Sequence, residues 1–155
     1  MKIKMTWKVI LVITLIIVVS VIFVDSQINH SDQQKLTTDI SNAIVMYKNG
    51  DVPVVDFAKI TTFSWDKLYI FEPYTSAEEI EDIFGNRFTA PVTTIETNDG
   101  VTLLVFAKDG RVVQYLEYGR NRADFADAHN ETGYLFQEAR FVMDDRGRMI
   151  WVGAR

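Results

Sequence analysis

Asp66, Glu72 and His129 are the side chains of this sequence best able to do chemistry. If they converged, two carboxylates and an imidazole would make the centre of a small hydrolase or a metal-dependent enzyme. Asp66 and Glu72 belong to WDKLYIFEPYTSAEEIEDIFG, residues 65–85, which also brings Trp65, Tyr69, Tyr74 and Thr75 close to the start of a helix. A strand-to-helix junction of this kind can bind an anion or present a polar pocket. The structural alternative is that Trp65, Tyr69 and Phe71 pack core while Thr75 caps the helix. His129 lies in GRNRADFADAHNETG, residues 119–133, beside Arg120, Arg122, Asp124, Asp127, Asn130 and Glu131.

The spacing of these groups is not that of a metal centre. Zinc takes three or four ligands at suitable intervals, whereas His129 and Glu131 are two apart on a loop and His30, the other histidine, is far away. Asp124, Asp127, Asn130 and Glu131 offer hard oxygens, but not at alternate positions around a central glycine as in a calcium loop. Glu78, Glu79, Glu81 and Asp82 read as the solvated face of a short helix, with their carboxylates pointing different ways. There is no cysteine and no Gly-x-Ser-x-Gly elbow, and the eight glycines form neither a phosphate loop nor a dinucleotide fingerprint. Paired carboxylates of the glycosidase kind stay open, since their spacing is spatial. The balance falls to a non-catalytic protein without cofactor or metal.

Where these residues sit depends first on Thr6 to Val24, TWKVILVITLIIVVSVIFV, which has no charge after Lys8 and no helix breaker. At about 1.5 Å per residue a helix of this length covers roughly 28 Å, close to the hydrocarbon thickness of a bilayer. Lys2, Lys4 and Lys8 flank one end and Asp25 and Asp32 the other, so the positive-inside rule keeps the N-terminus in the cytoplasm. The expected organisation is a cytoplasmic tail at 1–5, a transmembrane signal anchor at 6–24 and an extracytoplasmic domain at 25–155. A cleaved signal peptide is the competing reading. The apolar core is long for one, and the exit FVDSQ is a poor cleavage site. A lipid-anchored precursor is excluded by the lack of cysteine.

Beyond the anchor some 130 residues remain, the usual size of one domain. The chain carries 16 basic and 21 acidic residues. Setting aside the three leading lysines leaves 13 basic against 21 acidic, a net charge of −8. Such a domain is a poor partner for nucleic acid, which demands a basic face, and lacks the polybasic stripe that holds proteins on anionic lipid. Without disulfides its stability rests on an ordinary core, which suits a bacterial exported protein better than a eukaryotic secreted one. On that reading Asn29-His30-Ser31 and Asn130-Glu131-Thr132 match the glycosylation pattern by accident.

Periodicity and turn chemistry lay out the domain. Ser31 with Gln34 is spaced as a capping box, opening a helix whose buried stripe is Leu36, Ile40, Ala43, Ile44 and Tyr47, closed by Gly50 and Pro53. Ala58 to Phe71 reads as strand, with Lys67–Phe71 its regular part and a bend or bulge at Trp65-Asp66. Thr75 with Glu78, or Ser76 with Glu79, caps a helix that buries Ala77, Ile80, Ile83 and Phe84 and ends at Gly85. Val92–Thr97, Val101–Ala107 and Arg111–Tyr118 follow as a meander joined by Asn98-Asp99-Gly100 and Asp109-Gly110. Residues 119–133 form a long loop with a helical turn near 123–128, and Tyr134–Met143 with Met149–Val152 make a last hairpin. The expected class is α+β, two helices on one face of an antiparallel sheet of five or six strands.

The Trp-Asp before the strand and the Pro-Tyr-Thr before the helix resemble a motif of small, uncharacterised membrane-anchored or lipoprotein-type proteins of Gram-positive bacteria. The likeness covers about 20 residues and implies no activity. A looser similarity to envelope domains that lay helices on an antiparallel sheet, such as outer-membrane assembly lipoproteins, concerns the fold alone. The functional expectation is a non-catalytic interaction module that meets an envelope protein or wall component outside the membrane. Its expected contact residues are Trp65, Asp66, Tyr69, Glu72, Tyr74, Arg120, Arg122 and His129, on the two irregular segments. The alternatives are a small wall-directed hydrolase or metal-dependent enzyme, and an immunity or inhibitor protein.

Overall fold

The computed structural model describes residues 7–46, 54–85 and 94–153, and within these the side chains of residues 8, 9, 17, 19–30 and 46 lie outside the description. The chain divides into two units, Met1–Gln34 and Lys35–Arg155. In the first, the described residues are helical, and Trp7, Ile10, Leu11, Val12, Ile13, Leu15, Ile16 and Val18 are exposed. Among the described residues no helix is long and apolar enough to cross a membrane. Much of the run at 6–24 lies outside the described side chains.

Helix α1 is Trp7–Met46 and passes through Ser31. The expected helix start at Ser31 is therefore absent, because no glycine or proline precedes it to interrupt the chain and the following amides have intrahelical acceptors. The stripe expected after it is present, with Leu36, Ile40 and Ile44 buried and Ala43 packed against them. Tyr47, Gly50 and Pro53 lie outside the described residues.

The second unit is α+β. After β1 (Val54–Asp56) comes a single turn of helix, α2 (Phe57–Ile60), where continuous strand was expected from Ala58. Thr61 ends α2 by donating from both its amide and its hydroxyl to the Phe57 carbonyl, at 3.1 and 2.7 Å. The strand begins only at β2 (Lys67–Phe71). Helix α3 (Ala77–Phe84) follows, then β3 (Val101–Lys108) and β4 (Arg111–Gly119) around the Asp109-Gly110 turn, where both residues take positive φ. A 3-10 turn at Ala126–Ala128, β5 (Tyr134–Leu135), β6 (Arg140–Met143) and β7 (Met149–Trp151) complete the described elements.

These strands form two antiparallel sheets, one of four in the order β4-β3-β2-β5 and one of three in the order β1-β6-β7. The single sheet of five or six strands is thus corrected. The last hairpin, β6–β7, pairs with β1, a strand too short to register as a periodic pattern. Of the strand expected at Val92–Thr97, residues 92 and 93 lie outside the described residues, and 94–97 form a turn in which Ile95 is buried.

The expectation of one covered face also fails. From Thr102 to Ala107 every residue of β3 is buried. Leu104 and Phe106 join Leu68 and Ile70 in a core with Leu36, Ile40, Phe57, Phe125 and Phe141. Leu103, Val105 and Ala107 face the other way and join Phe71, Ile80, Phe84 and Ile95. Strand side chains alternate between faces, so a continuous apolar run such as VTLLVFAK is stable only when both faces are dry.

Candidate functional site

The site is built at the C-terminal end of β2. Glu72-Pro73-Tyr74-Thr75 reverses the chain, with the Thr75 amide donating to the Glu72 carbonyl at 3.3 Å and the Thr75 hydroxyl at 2.7 Å. Pro73 fixes the first central position, and Tyr74 takes φ +68°, a conformation that usually selects glycine or asparagine. The Tyr74 amide donates to the Ile95 carbonyl at 2.8 Å, which holds the turn in place. Of the two capping boxes expected, the one formed is Ser76 with Glu79. The Glu79 amide donates to the Ser76 hydroxyl at 3.2 Å and the Ser76 amide to the Glu79 carboxylate at 2.7 Å. The bond from the Ser76 amide, and then one from the Ser76 hydroxyl at 2.9 Å, hold the Glu79 carboxyl below the usual carboxylate range, with His129 nearby adding to the effect.

The loop after β4 delivers His129 to the same place. A fork from Arg120 grips Asp124 at 2.8 and 2.7 Å and also donates to the Asp99 carbonyl at 2.7 Å. The 3-10 turn is tied down by Tyr134, whose hydroxyl donates to the Ala128 carbonyl at 2.9 Å. Gly133, at φ +71°, lets the loop return over Tyr69, whose ring would lie 3.0 Å from any Cβ at that position. His129 Nδ1 is 2.9 Å from the Ile70 carbonyl, 59 positions away. A carbonyl only accepts, so Nδ1 carries a proton and donates it to Ile70.

Junction and loop together enclose a cleft of about 360 Å³. Glu72 and Thr75 come from the turn, Glu79, Asp82 and Ile83 from α3, His129 and Glu131 from the loop, and Phe71 from β2. Four carboxylates in one concavity give it the charge to receive a basic group. Among the described residues, no set of three or more His, Cys, Asp or Glu is placed to hold a metal ion.

Of the expected contact residues, Glu72 and His129 meet here and Tyr74 stands beside them, exposed at 62%. Asp66 does not. It precedes the other end of β2, six residues and roughly 20 Å from Glu72 at strand spacing, and its carboxylate accepts the Asp109 amide at 2.7 Å. The Asp66, Glu72 and His129 centre is therefore not formed. Trp65 is buried against Phe106 and Phe136, its indole N–H donating to Thr61 at 2.8 Å. Tyr69 packs on Phe84, with burial and then the Asp66 charge pushing its phenol up. Arg120 positions the loop, and Arg122 lies on an exposed turn. The sequence reading set Glu79 and Asp82 aside as part of a solvated helix face. Their spacing of three places both on one helix face, and that was the available signal.

No family model, curated protein or solved structure matches this chain.

Proposed function

We propose that this protein is a non-catalytic, single-pass interaction module of the bacterial cell envelope. In this reading residues 6–24 anchor it, its N-terminus is cytoplasmic, and its α+β domain meets an envelope protein or wall component outside the membrane. The resemblance of the 65–85 stretch to small membrane-anchored Gram-positive proteins points the same way. The anchor is supported by Ile10, Leu11, Val12 and Ile13, all exposed. Four consecutive helical positions, about 100° apart, face every direction, and a helix apolar all round suits hydrocarbon rather than water. Thr14 donates to the Ile10 carbonyl at 2.9 Å, which satisfies its hydroxyl without water.

The observation that carries the binding reading is the cleft, where the two irregular segments converge around Glu72 and His129. Its carboxylates favour a partner presenting lysine, arginine or an amino group. Photo-crosslinking in cells tests this with the full-length chain. A crosslinker at Glu131 should capture one partner, a crosslinker at exposed Arg111 should not, and Glu72→Gln with Asp82→Asn should abolish the capture. Equal capture from both positions, or capture indifferent to the charge changes, would refute the site. Protease added to whole cells tests the topology separately, since a sheltered C-terminal domain would overturn the orientation.

A further inference from the structure

We infer that Tyr74 is a preformed knob that enters an apolar pocket on a partner protein, next to the basic group that the acidic cleft receives. This inference rests on the reading of that cleft as a binding site, and it narrows the partner from an envelope protein or wall component to a folded protein. Two described residues other than glycine take a positive φ, Asp109 at +51° and Tyr74 at +68°. Asp109 sits in the tight turn between β3 and β4, and aspartate visits that region more readily than most side chains. Tyr74 occupies the second central position of the turn at 72–75, which selects glycine or asparagine. A bulky side chain there is strained.

The fold gains little from the ring. Tyr74 is 62% exposed, and its side chain makes no hydrogen bond or ring contact among the described residues. Strain that the surroundings enforce at a position of no use to the core points to function. The backbone beneath the ring is also fixed in advance. Pro73 presets the first central position of the turn, and the Tyr74 amide donates to the Ile95 carbonyl at 2.8 Å. A tyrosine held in this way has two side-chain torsions left to order on binding, so it loses little freedom when a partner closes over it. Tyrosine is also enriched among the few residues that carry most of the energy of an interface.

The neighbours of Tyr74 narrow the class of partner. Phe71, Glu72 and Thr75 line the cleft but Tyr74 does not, so its ring stands at the rim instead of forming a wall. Glu72 and Glu78 are exposed on either side of it in the chain. A phenol bordered by carboxylates is complementary to an apolar pocket rimmed by lysine or arginine. Anchors of this kind sit in well-packed, desolvated pockets, which a folded protein supplies and a flexible wall polysaccharide does not.

Capture in cells by the full-length chain with the photo-crosslinker at Glu131, read beside the Tm of the purified full-length variants, tests the assignment. Tyr74→Gly should raise Tm by about 2–4 °C, as relief of one left-handed residue less the added freedom of glycine implies. The same variant should cut capture about tenfold or more. Tyr74→Asn, which also suits the turn, should lose capture equally, so that loss of the ring is separated from a loosened backbone. Tyr74→Phe keeps the ring and should retain capture within about threefold. The captured species should be degraded by protease and survive muramidase. Capture unchanged by Tyr74→Gly or Tyr74→Asn, yet still abolished by Glu72→Gln with Asp82→Asn, would overturn the knob and leave the cleft standing. No capture from Glu131 in the parent would overturn the cleft and the knob with it. A captured polysaccharide would overturn the proposal, and so would a fall in Tm with Tyr74→Gly, since the ring would then serve the fold.

Discussion

Phe57→Ala is the perturbation that asks most of this fold. Phe57 is 0% exposed on the short α2 turn, and its ring meets Phe106 of the four-stranded sheet at 5.7 Å, Phe141 of the three-stranded sheet at 5.8 Å and Phe125 of the loop at 6.0 Å. Truncating a buried phenylalanine costs about 3–5 kcal/mol in transfer and cavity terms. The upper part of that range is expected here, because three aromatic neighbours lose their edge contacts at once. A domain of this size unfolds with an entropy of about 0.25 kcal/mol/K, so about 4 kcal/mol corresponds to roughly 16 °C in Tm. Thermal unfolding followed by far-UV circular dichroism reads the change, with Val113→Ala at an exposed strand position as a control expected to cost about 0.5 kcal/mol or less. Ile80→Ala, in the core on the opposite face of β2 and β3, should add to Phe57→Ala within about 0.5 kcal/mol. A loss below about 1.5 kcal/mol for Phe57→Ala would refute the claim that one ring joins the two sheets. Strong non-additivity with Ile80→Ala would refute the separation of the two cores.

Acid should act through Asp124. Hydrogen bonds from Arg120, then the Ala126 amide and the charges of Arg120 and Arg148, hold its carboxyl below the ordinary range against an opposing effect of burial. A carboxyl depressed in the folded state stabilises the fold fully above its unfolded pKa of about 3.9, and that contribution disappears as pH falls through the folded value. Tm measured against pH should therefore show Asp124→Asn less stable than the parent at pH 7, with the gap closing below about pH 4; a constant gap would contradict the pairing. Ser76→Ala removes one half of the capping box on α3 and should cost about 1 kcal/mol in denaturant unfolding. No loss would mean that the Glu96 carboxylate, which accepts the Ala77 amide at 2.6 Å, suffices at that helix start.

The sequence by itself determined whatever depends on near neighbours. Leu36, Ile40 and Ile44 recur at helical spacing, Ser76 and Glu79 carry their own cap, Gly85 ends α3 at φ +60°, and Asp109-Gly110 folds β3 onto β4. Each signal lies within one or two turns of chain, where capping, periodicity and turn sterics act. The apolar character of residues 6–24 is likewise a property of composition alone.

Only the tertiary structure decided which strands pair and which side chains meet. Three residues of β1 carry no periodicity, yet their partner in β6 splits the strands into two sheets and sets Arg140 over Asp56. His129 reaches β2 through a bond that spans 59 positions, and Asp66, which looked like its companion, is spent on the Asp109 amide instead. Such contacts depend on register and loop closure, whose energies are shared over the whole domain and leave no mark on the residues nearby in sequence.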